Sequence, residues 1–156
     1  MRLTVYTDYA LRVLIYIAVK PNGSATIAEI AVAFGISRAH LMKVAHRLGI
    51  DGFIGTVRGR GGGLRLAYPA QDIGVGDVIR ATEPDLALAP CFDPMNADCA
   101  ILPTCVLRRA LHEARSRFFD VLDGYTIADL ARPGSSLRRS LGLPSPSASD
   151  PPNDDR

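Results

Sequence analysis

Three cysteines are the residues of this sequence whose chemistry stands out, because all of them lie within one short stretch. They are Cys91, Cys99 and Cys105, in the segment CFDPMNADCAILPTC. Thiolates ligate zinc and iron–sulfur clusters, and they also undergo reversible oxidation. Their exclusive grouping in a polar, proline-rich segment therefore predicts metal or redox chemistry, and not three separate buried thiols.

The spacing of the cysteines, C-x7-C-x5-C, does not identify the metal. It lacks the C-x2-C pairs of most structural zinc sites and the C-x2-C-x2-C run of ferredoxins. Three thiolates also leave one of the four ligand positions of a tetrahedral metal or a cluster unfilled. The candidates for a fourth ligand are carboxylates and imidazoles near the cysteines or far from them: Asp93, Asp98, His112, Asp8, His40 and His46.

Hydropathy and cysteine usage indicate the compartment. The longest apolar run near the beginning, VLIYIAV at 13 to 19, is far too short to cross a bilayer. Asp8 and Arg12 precede it and no clear cleavage site follows, so it does not resemble a secretory signal. We therefore expect a cytoplasmic protein with no membrane partner, in which thiols stay reduced.

The charge is distributed unevenly between the two halves of the chain. Residues 1 to 68 carry nine Lys and Arg against three Asp and Glu, whereas residues 69 to 156 carry nine against thirteen. The net charge of +2 therefore divides into +6 and −4. A basic first half indicates a module that binds a polyanion, joined to a second module with another role.

The first half has the element order of a winged helix-turn-helix. An apolar stripe of Tyr6, Ala10, Val13, Leu14 and Ile17 predicts a helix over 3 to 20. The capping box TIAE at 26 to 29 begins a second helix that ends before Gly35, and Ser37 begins a third over 38 to 48. Two strand-like runs, FIGTV and LRLAY, then flank a tip of arginines and glycines. The predicted fold is mainly α with a small β wing, and residues 1–70 form the DNA-binding domain.

The third helix and the hairpin carry the candidate DNA contacts. Leu41, Val44, Ala45 and Leu48 share one helix face, so the opposite face is basic and points outward. Glycines at the hairpin tip allow close approach, and arginines there can enter a minor groove. A nucleotide-binding glycine loop is excluded because a strand follows the glycines where that motif needs a helix. The predicted DNA-binding residues are Ser37, Arg38, Ala39, His40, Lys43, His46, Arg58 and Arg60.

The second half combines an irregular loop with a long amphipathic helix. Residues 73 to 83 predict a short helix, and residues 84 to 104 an irregular loop. From Cys105 onward the apolar residues recur every three or four positions, which predicts a helix with more apolar surface than this chain can cover. Pairing with a second copy is the simplest cover, so we expect a homodimer. Residues 71–132 form this module, and the Pro- and Ser-rich residues 133–156 are predicted to be disordered. The stripe comprises Leu107, Leu111, Ala114, Phe118, Val121, Leu122 and Tyr125.

Four segments together carry a resemblance to a known family. They are MRLTVYTDYALRVLIYIA, VRGRGGGLRLAYPAQDIGVGDVIRATEP, the three spaced cysteines and DGYTIADL. The chain resembles, over about residues 1 to 131, the iron–sulfur winged-helix transcription regulators. Within that family, TDYALR and GYTIADL are most similar to the branch of nitric-oxide-sensitive repressors.

The resemblance implies a dimeric DNA-binding repressor with an iron–sulfur cluster on Cys91, Cys99 and Cys105. In the nitric-oxide-sensitive branch the cluster is 4Fe–4S, and the partner subunit gives a carboxylate from the start of its first helix, which is the position of Asp8 here. Arg12, one turn further on, would offset part of the cluster's charge. In the 2Fe–2S branch a histidine follows the last cysteine by three residues, and this chain has Arg108 there. The interval between the first two cysteines is longer than is usual in the family.

Three functions follow from these features. The first is a repressor whose affinity for operator DNA depends on an iron–sulfur cluster that senses nitric oxide. The second is a regulator of the same fold that senses iron or cluster supply, and the third uses zinc or a thiol switch in the same loop. An electron-transfer enzyme or carrier needs four cluster ligands and no arginine–glycine wing, so we do not expect an enzyme.

Overall fold

The structure is a computed structural model that describes residues 2–59, 61–93, 95 and 98–144. Helix α1 (Val5–Val19) begins at Thr4, whose hydroxyl accepts a hydrogen bond from the Thr7 backbone N–H at 3.2 Å. Its predicted apolar stripe is buried at Ala10, Val13, Leu14 and Ile17, each at most 1% exposed, and partly buried at Tyr6. This helix is the centre of the fold, because the core is built around it.

Helices α2 (Ile27–Phe34) and α3 (Arg38–Ile50) form the predicted helix-turn-helix. The capping box is present: the Glu29 backbone N–H donates to the Thr26 hydroxyl, and the Glu29 carboxylate accepts from the Thr26 N–H at 2.7 Å. Gly35 ends α2 in a left-handed conformation with φ of 64°, which disfavours a side chain. Ser37 then begins α3 by accepting from the His40 N–H.

The wing is an antiparallel pair of short strands, β1 (Ile54–Val57) and β2 (Gly63–Leu66). Ile54 pairs with Leu66 and Val57 with Gly63. A bridge between Ala25 and Leu64 holds the pair against the helices, with N–O distances of 2.7 and 3.0 Å. A Cβ atom at Gly63 would lie only 2.6 Å from the Ala25 carbonyl oxygen, so this close approach requires glycine.

The second half begins with α4 (Val75–Thr82) and continues through short 3-10 turns at Pro90–Phe92 and Leu102–Thr104. It ends with α5 (Val106–Asp123), α6 (Ile127–Ala131) and α7 (Gly134–Ser140). Ile73, Val78 and Ile127 share one core with α1, so the hydrophobic core crosses the predicted domain boundary at residue 70. By contrast, α5 has no fully buried side chain among the described residues.

The prediction that residues 133–156 are disordered is wrong for the part that forms α7. Leu141 and Leu143 pack against the core behind this helix, and Arg138 Nη1 donates a hydrogen bond to the Val19 carbonyl oxygen at 3.1 Å. Composition does not predict this packing because it averages over the whole segment, whereas two leucines can dock where the core offers them an apolar surface. Residues 145–156 lie outside the described residues.

The helices in the described part of the chain include none that is both long enough and apolar enough to span a bilayer.

Candidate functional site

The outward face of α3 carries the predicted DNA contacts. Its inner face is buried as predicted, with Leu41 and Leu48 fully enclosed. The tilted ring of Tyr9 lies 6.4 Å from the His40 ring, measured between centroids, so α1 supports the beginning of the exposed face. The structure brings six of the predicted residues together in exposed positions at or along this helix: Ser37, Arg38, Ala39, His40, Lys43 and His46.

The tip of the wing is shaped by glycine and carries exposed arginine. Gly59 and Gly61 have φ values of 100° and 74°, and a Cβ atom at Gly62 would lie 2.3 Å from the Val57 carbonyl oxygen. Arg58 is exposed, as predicted for a contact residue. The prediction for Arg60 falls outside the described residues.

A cleft separates α3 from the end of α4. It has a volume of about 550 Å³, and its lining includes Tyr6, Lys43, Arg47 and Arg80. Arg47 is itself paired with Asp51 at 2.9 Å. The sequence did not identify Arg80, because no local pattern indicates that α4 ends beside α3, the recognition helix that carries the predicted DNA contacts.

The cysteine loop presents three free thiols. Cys91 and Cys105 are half-buried, and Cys99 is exposed. Within the described ranges, the structure places no group of three or more His, Cys, Asp or Glu side chains where they could hold one metal ion. A single chain therefore keeps its predicted ligands accessible without gathering them into a complete site.

Arg108 connects two of the three cysteines. Cys105 lies at the beginning of α5, where its Sγ accepts a hydrogen bond from the Arg108 backbone N–H at 3.4 Å. The Arg108 side chain reaches back, and its Nε donates to the Cys91 carbonyl oxygen at 3.3 Å. The sequence indicated only that Arg108 cannot ligate; its contact with Cys91 spans seventeen positions and was not predicted.

Aromatic stacking attaches the same loop to α5. The Phe92 ring lies 4.4 Å from the His112 ring at an interplanar angle of 18°, and Arg115 Cζ is 5.1 Å from the Phe92 centroid. His112, one of the candidates for a fourth ligand, therefore has its ring face stacked on the residue that follows Cys91. The adjoining cleft of about 680 Å³ is lined by Cys105, Arg108, Arg109, His112 and Leu102–Thr104.

Asp8 lies on α1, away from the cysteine loop in the chain. Its carboxylate Oδ2 is 2.9 Å from Arg12 Nε, so the predicted neighbour Arg12 is an ion-pair partner. The two side chains are 47% and 42% exposed, which leaves the carboxylate accessible to another molecule. Arg12 Cζ also lies 5.5 Å from the centroid of the Phe34 ring.

The chemistry of the donor set fits a thiolate-ligated cluster. Three accessible thiols, one of them at a helix N-terminus, lie on a loop with Arg108 and Arg109 beside it. Soft sulfur donors and nearby cations suit an iron–sulfur centre of negative overall charge. Cys91, Cys99 and Cys105 would be its ligands, and one position would remain for a group outside the loop.

Comparison with known proteins agrees with this combination of features. Residues 3–133 match the Rrf2 family model, described as iron-dependent transcriptional regulator. The chain is 45% identical over 144 residues to the HTH-type transcriptional regulator NsrR of Bacillus subtilis, covering 92% of this chain and 99% of that protein. It is 48% identical over 142 residues to the regulator of the same name from Geobacillus kaustophilus, covering 90% and 97%.

The fold is also that of solved regulators. The structure of CymR, the global cysteine regulator of B. subtilis, has a TM-score of 0.71 to this chain at 24% identity, covering 85% of this chain and 97% of CymR. The winged-helix prediction is therefore confirmed, and the prediction of a regulator instead of an enzyme agrees with the transcriptional regulators that this chain matches. The chain belongs to the Rrf2 family and is a transcriptional regulator.

Proposed function

We propose that this regulator is a homodimeric repressor whose affinity for operator DNA depends on an iron–sulfur cluster that senses nitric oxide. The observation that carries the proposal is the set of three free thiols on a loop attached to α5 by Arg108 and Phe92. When bound, the cluster supplies thiolate-ligated iron, which reacts with nitric oxide. The residues of the chain hold the cluster and connect its loop to the DNA-binding half.

The DNA-binding surface combines α3 with the wing. Lys43 and His46 would lie along the major groove, and Ser37 to His40 would approach base edges at the beginning of the helix. Arg58 and Arg60 would contact phosphates or the adjacent minor groove. The exposure of the α3 residues and of Arg58 is consistent with these roles.

The homodimer rests on the exposed face of α5. Val106 and Leu107 are each 66% exposed, and Val121 is 62% exposed, although all three are apolar. An apolar face of this length has a large hydrophobic cost in water, which a second copy of the same helix removes. Twofold pairing would also place two recognition helices for the two halves of a palindromic site.

The cluster we propose is 4Fe–4S in preference to 2Fe–2S. Residue 108 is arginine, which cannot act as the fourth ligand, and in this structure it contacts Cys91 and Cys105. The carboxylate of Asp8 from the partner subunit is the proposed fourth ligand, because it is accessible on α1 and carries the negative charge that iron favours.

Anaerobic purification tests the proposal. Iron and sulfide analysis and native mass measurement of the dimer are expected to give one 4Fe–4S cluster per chain. Operator affinity is then measured by gel shift before and after a stoichiometric nitric oxide donor, and we expect it to fall. A colourless protein containing zinc, or free thiols that alone control DNA binding, would favour the zinc or thiol-switch regulator. A cluster protein that ignores nitric oxide but responds to iron chelation would favour a sensor of iron or cluster supply.

A further inference from the structure

Arg80 of α4 and Asp123 of α5 form a bidentate ion pair. Arg80 Nη1 donates to Asp123 Oδ1 at 2.8 Å, and Nη2 donates to Oδ2 at 2.6 Å. The hydrogen bond from Arg80 is the main cause that lowers the pKa of Asp123, so the carboxylate stays ionised. A fork of two parallel hydrogen bonds fixes orientation as well as distance, which a single contact does not.

The surroundings of this pair leave it little freedom. Arg80 Cζ lies 4.4 Å from the centroid of the Phe119 ring, and Asp77 Oδ1 is 3.3 Å from Arg80 Nη1. Gly76 is buried against the pair, where an added Cβ atom would lie 1.8 Å from Asp123 Oδ1 and 2.9 Å from Arg80 Nη1. A side chain at position 76 would therefore displace the Asp123 carboxylate from its present position.

Backbone hydrogen bonds fasten the same end of α5 to the core. The Val75 N–H donates to the Tyr125 carbonyl oxygen at 2.9 Å, and the Ile127 N–H donates to the Ile73 carbonyl oxygen at 2.9 Å. The other end of α5 carries Cys105 and Arg108. An α-helix of 18 residues is a rod of about 27 Å, so its fastened end sets where the cysteine loop lies.

Arg80 also borders the recognition helix. It lines the cleft between α3 and α4 together with Lys43 and Arg47. On its other side it lines a second cleft with His112, Arg115 and Phe119 of α5. One guanidinium thus lines both the cleft that Lys43 borders and the cleft beside the helix that holds the cysteine loop.

We propose that the Arg80–Asp123 pair is the joint that fixes α5 relative to α3, and that both residues are positioning residues for the response of DNA affinity to the state of the cysteine loop. The inference rests on the proposed function and names the contact through which that function would act. An exposed ion pair contributes little to overall stability. Breaking this one is therefore expected to uncouple the two sites while the fold persists.

The test compares operator affinity of the cluster-loaded and cluster-free dimer, measured anaerobically by fluorescence anisotropy at one salt concentration. Allosteric coupling commonly amounts to about 5- to 150-fold in affinity. Asp123→Asn is expected to reduce the ratio of the two affinities by about fivefold or more, relative to wild type. Gly76→Ala should reduce the ratio similarly without changing any charge, because its methyl group displaces the Asp123 carboxylate.

The matched control is Asp120→Asn, which removes a carboxylate of the same helix that pairs with Arg117 at 3.6 Å and does not belong to the apolar stripe. It should keep the wild-type ratio, and thermal unfolding should show all three variants folded. If the cluster-loaded and cluster-free wild-type dimers bind operator equally tightly, the proposed function is overturned and this inference with it. If Asp123→Asn keeps the wild-type ratio of operator affinities, the inference alone is overturned. The same holds if Asp123→Asn weakens operator binding equally in the cluster-loaded and the cluster-free dimer. If Gly76→Ala does not fold, Asp123→Asn decides.

Discussion

Arg108 Nε donates a hydrogen bond to the Cys91 carbonyl oxygen at 3.3 Å, so the first cysteine is attached to the helix that begins with the third. The Arg108 backbone N–H also donates to Cys105 Sγ at 3.4 Å, so one residue contacts two of the three cysteines. Cys99 lies between them in an exposed part of the loop. We infer that cluster assembly requires the least ordering at Cys91 and Cys105 and the most at Cys99.

The first prediction concerns this contact. Arg108→Ala should lower the affinity for the cluster by about 10- to 100-fold, the range typical of groups that orient metal ligands. Iron retention during anaerobic dialysis against a chelator measures the effect. Arg109→Ala is the matched control, because it removes the same charge from the adjacent exposed position. Equal iron retention in Arg108→Ala and Arg109→Ala would show that the contact with Cys91 has no positioning role.

Each cysteine is expected to be essential for the cluster. Cys91→Ala, Cys99→Ala and Cys105→Ala should each purify without the visible absorbance of the wild-type protein and should bind operator weakly. Met95→Ala is a suitable control, since Met95 is 90% exposed in the same loop and its thioether is not a thiolate donor. Full iron and sulfide in Cys99→Ala would exclude the middle cysteine as a ligand.

The wing and the recognition helix should differ in what they contribute to DNA binding. Arg58→Ala and Arg60→Ala should weaken binding to operator and random DNA alike, and lower the salt slope by about one unit per lost phosphate contact. Lys43→Ala and His46→Ala should reduce discrimination between operator and random DNA, by about 1–3 kcal/mol for a lost base contact. Arg117→Ala, which removes a positive charge from α5 outside its apolar stripe, is the control for charge.

Gel-shift titrations across salt concentrations separate these two effects. An Arg58→Ala or Arg60→Ala protein with unchanged affinity and an unchanged salt slope would exclude that arginine as a DNA contact. If Lys43→Ala lost affinity equally for all sequences, its contact would be to a phosphate and not to a base.

The packing of α7 leads to a prediction about stability. Leu141→Ala and Leu143→Ala should each lower the free energy of unfolding by about 1 kcal/mol, because each side chain is only partly buried against the core. Chemical denaturation of the apoprotein measures the change. Arg139→Ala, at an exposed position of the same helix, should have almost no effect. A wild-type unfolding midpoint for the double leucine variant would show that α7 does not dock on the core in solution.

Local signals explain which parts of the fold the sequence predicts. The capping box at Thr26, the N-cap at Ser37 and the apolar stripe of α1 each act within a few residues, so α1 to α3 and the wing were predicted close to their observed bounds. The Arg80–Asp123 pair joins residues 43 positions apart, and the docking of Arg138 on Val19 spans 119. Such contacts depend on how helices pack, which no local pattern specifies.

The candidate site also combines features that the local sequence predicts with contacts that only the packing of the fold creates. The sequence identified the three thiols by their grouping, and the structure places Cys105 at the beginning of α5 as the N-cap. The attachment of the loop through Phe92 and His112 was missed, because an isolated Phe next to a cysteine gives no signal of what it will stack on.

The last prediction concerns Asp8, which is half-exposed beside Arg12. If Asp8 of one subunit completes the cluster of the other, two variants with different missing ligands should together form one complete cluster site in a mixed dimer. Asp8→Ala retains its cysteines but lacks the carboxylate, and a variant with all three cysteines replaced by alanine retains Asp8 but binds no cluster. In a mixed dimer, the cysteines of the first subunit face the Asp8 of the second. One complete site per dimer is then expected, with the visible spectrum and nitric oxide response of the wild type.

The mixed dimer is isolated with two different affinity tags, and the Asp8→Ala homodimer should show an altered spectrum. Arg12→Ala, which leaves the carboxylate in place, should keep the ligand set and serves as the control. A mixed dimer with the spectrum of the Asp8→Ala homodimer would mean that Asp8 is not donated across the dimer, and an Asp8→Ala homodimer with the wild-type spectrum would mean that the fourth ligand is another group.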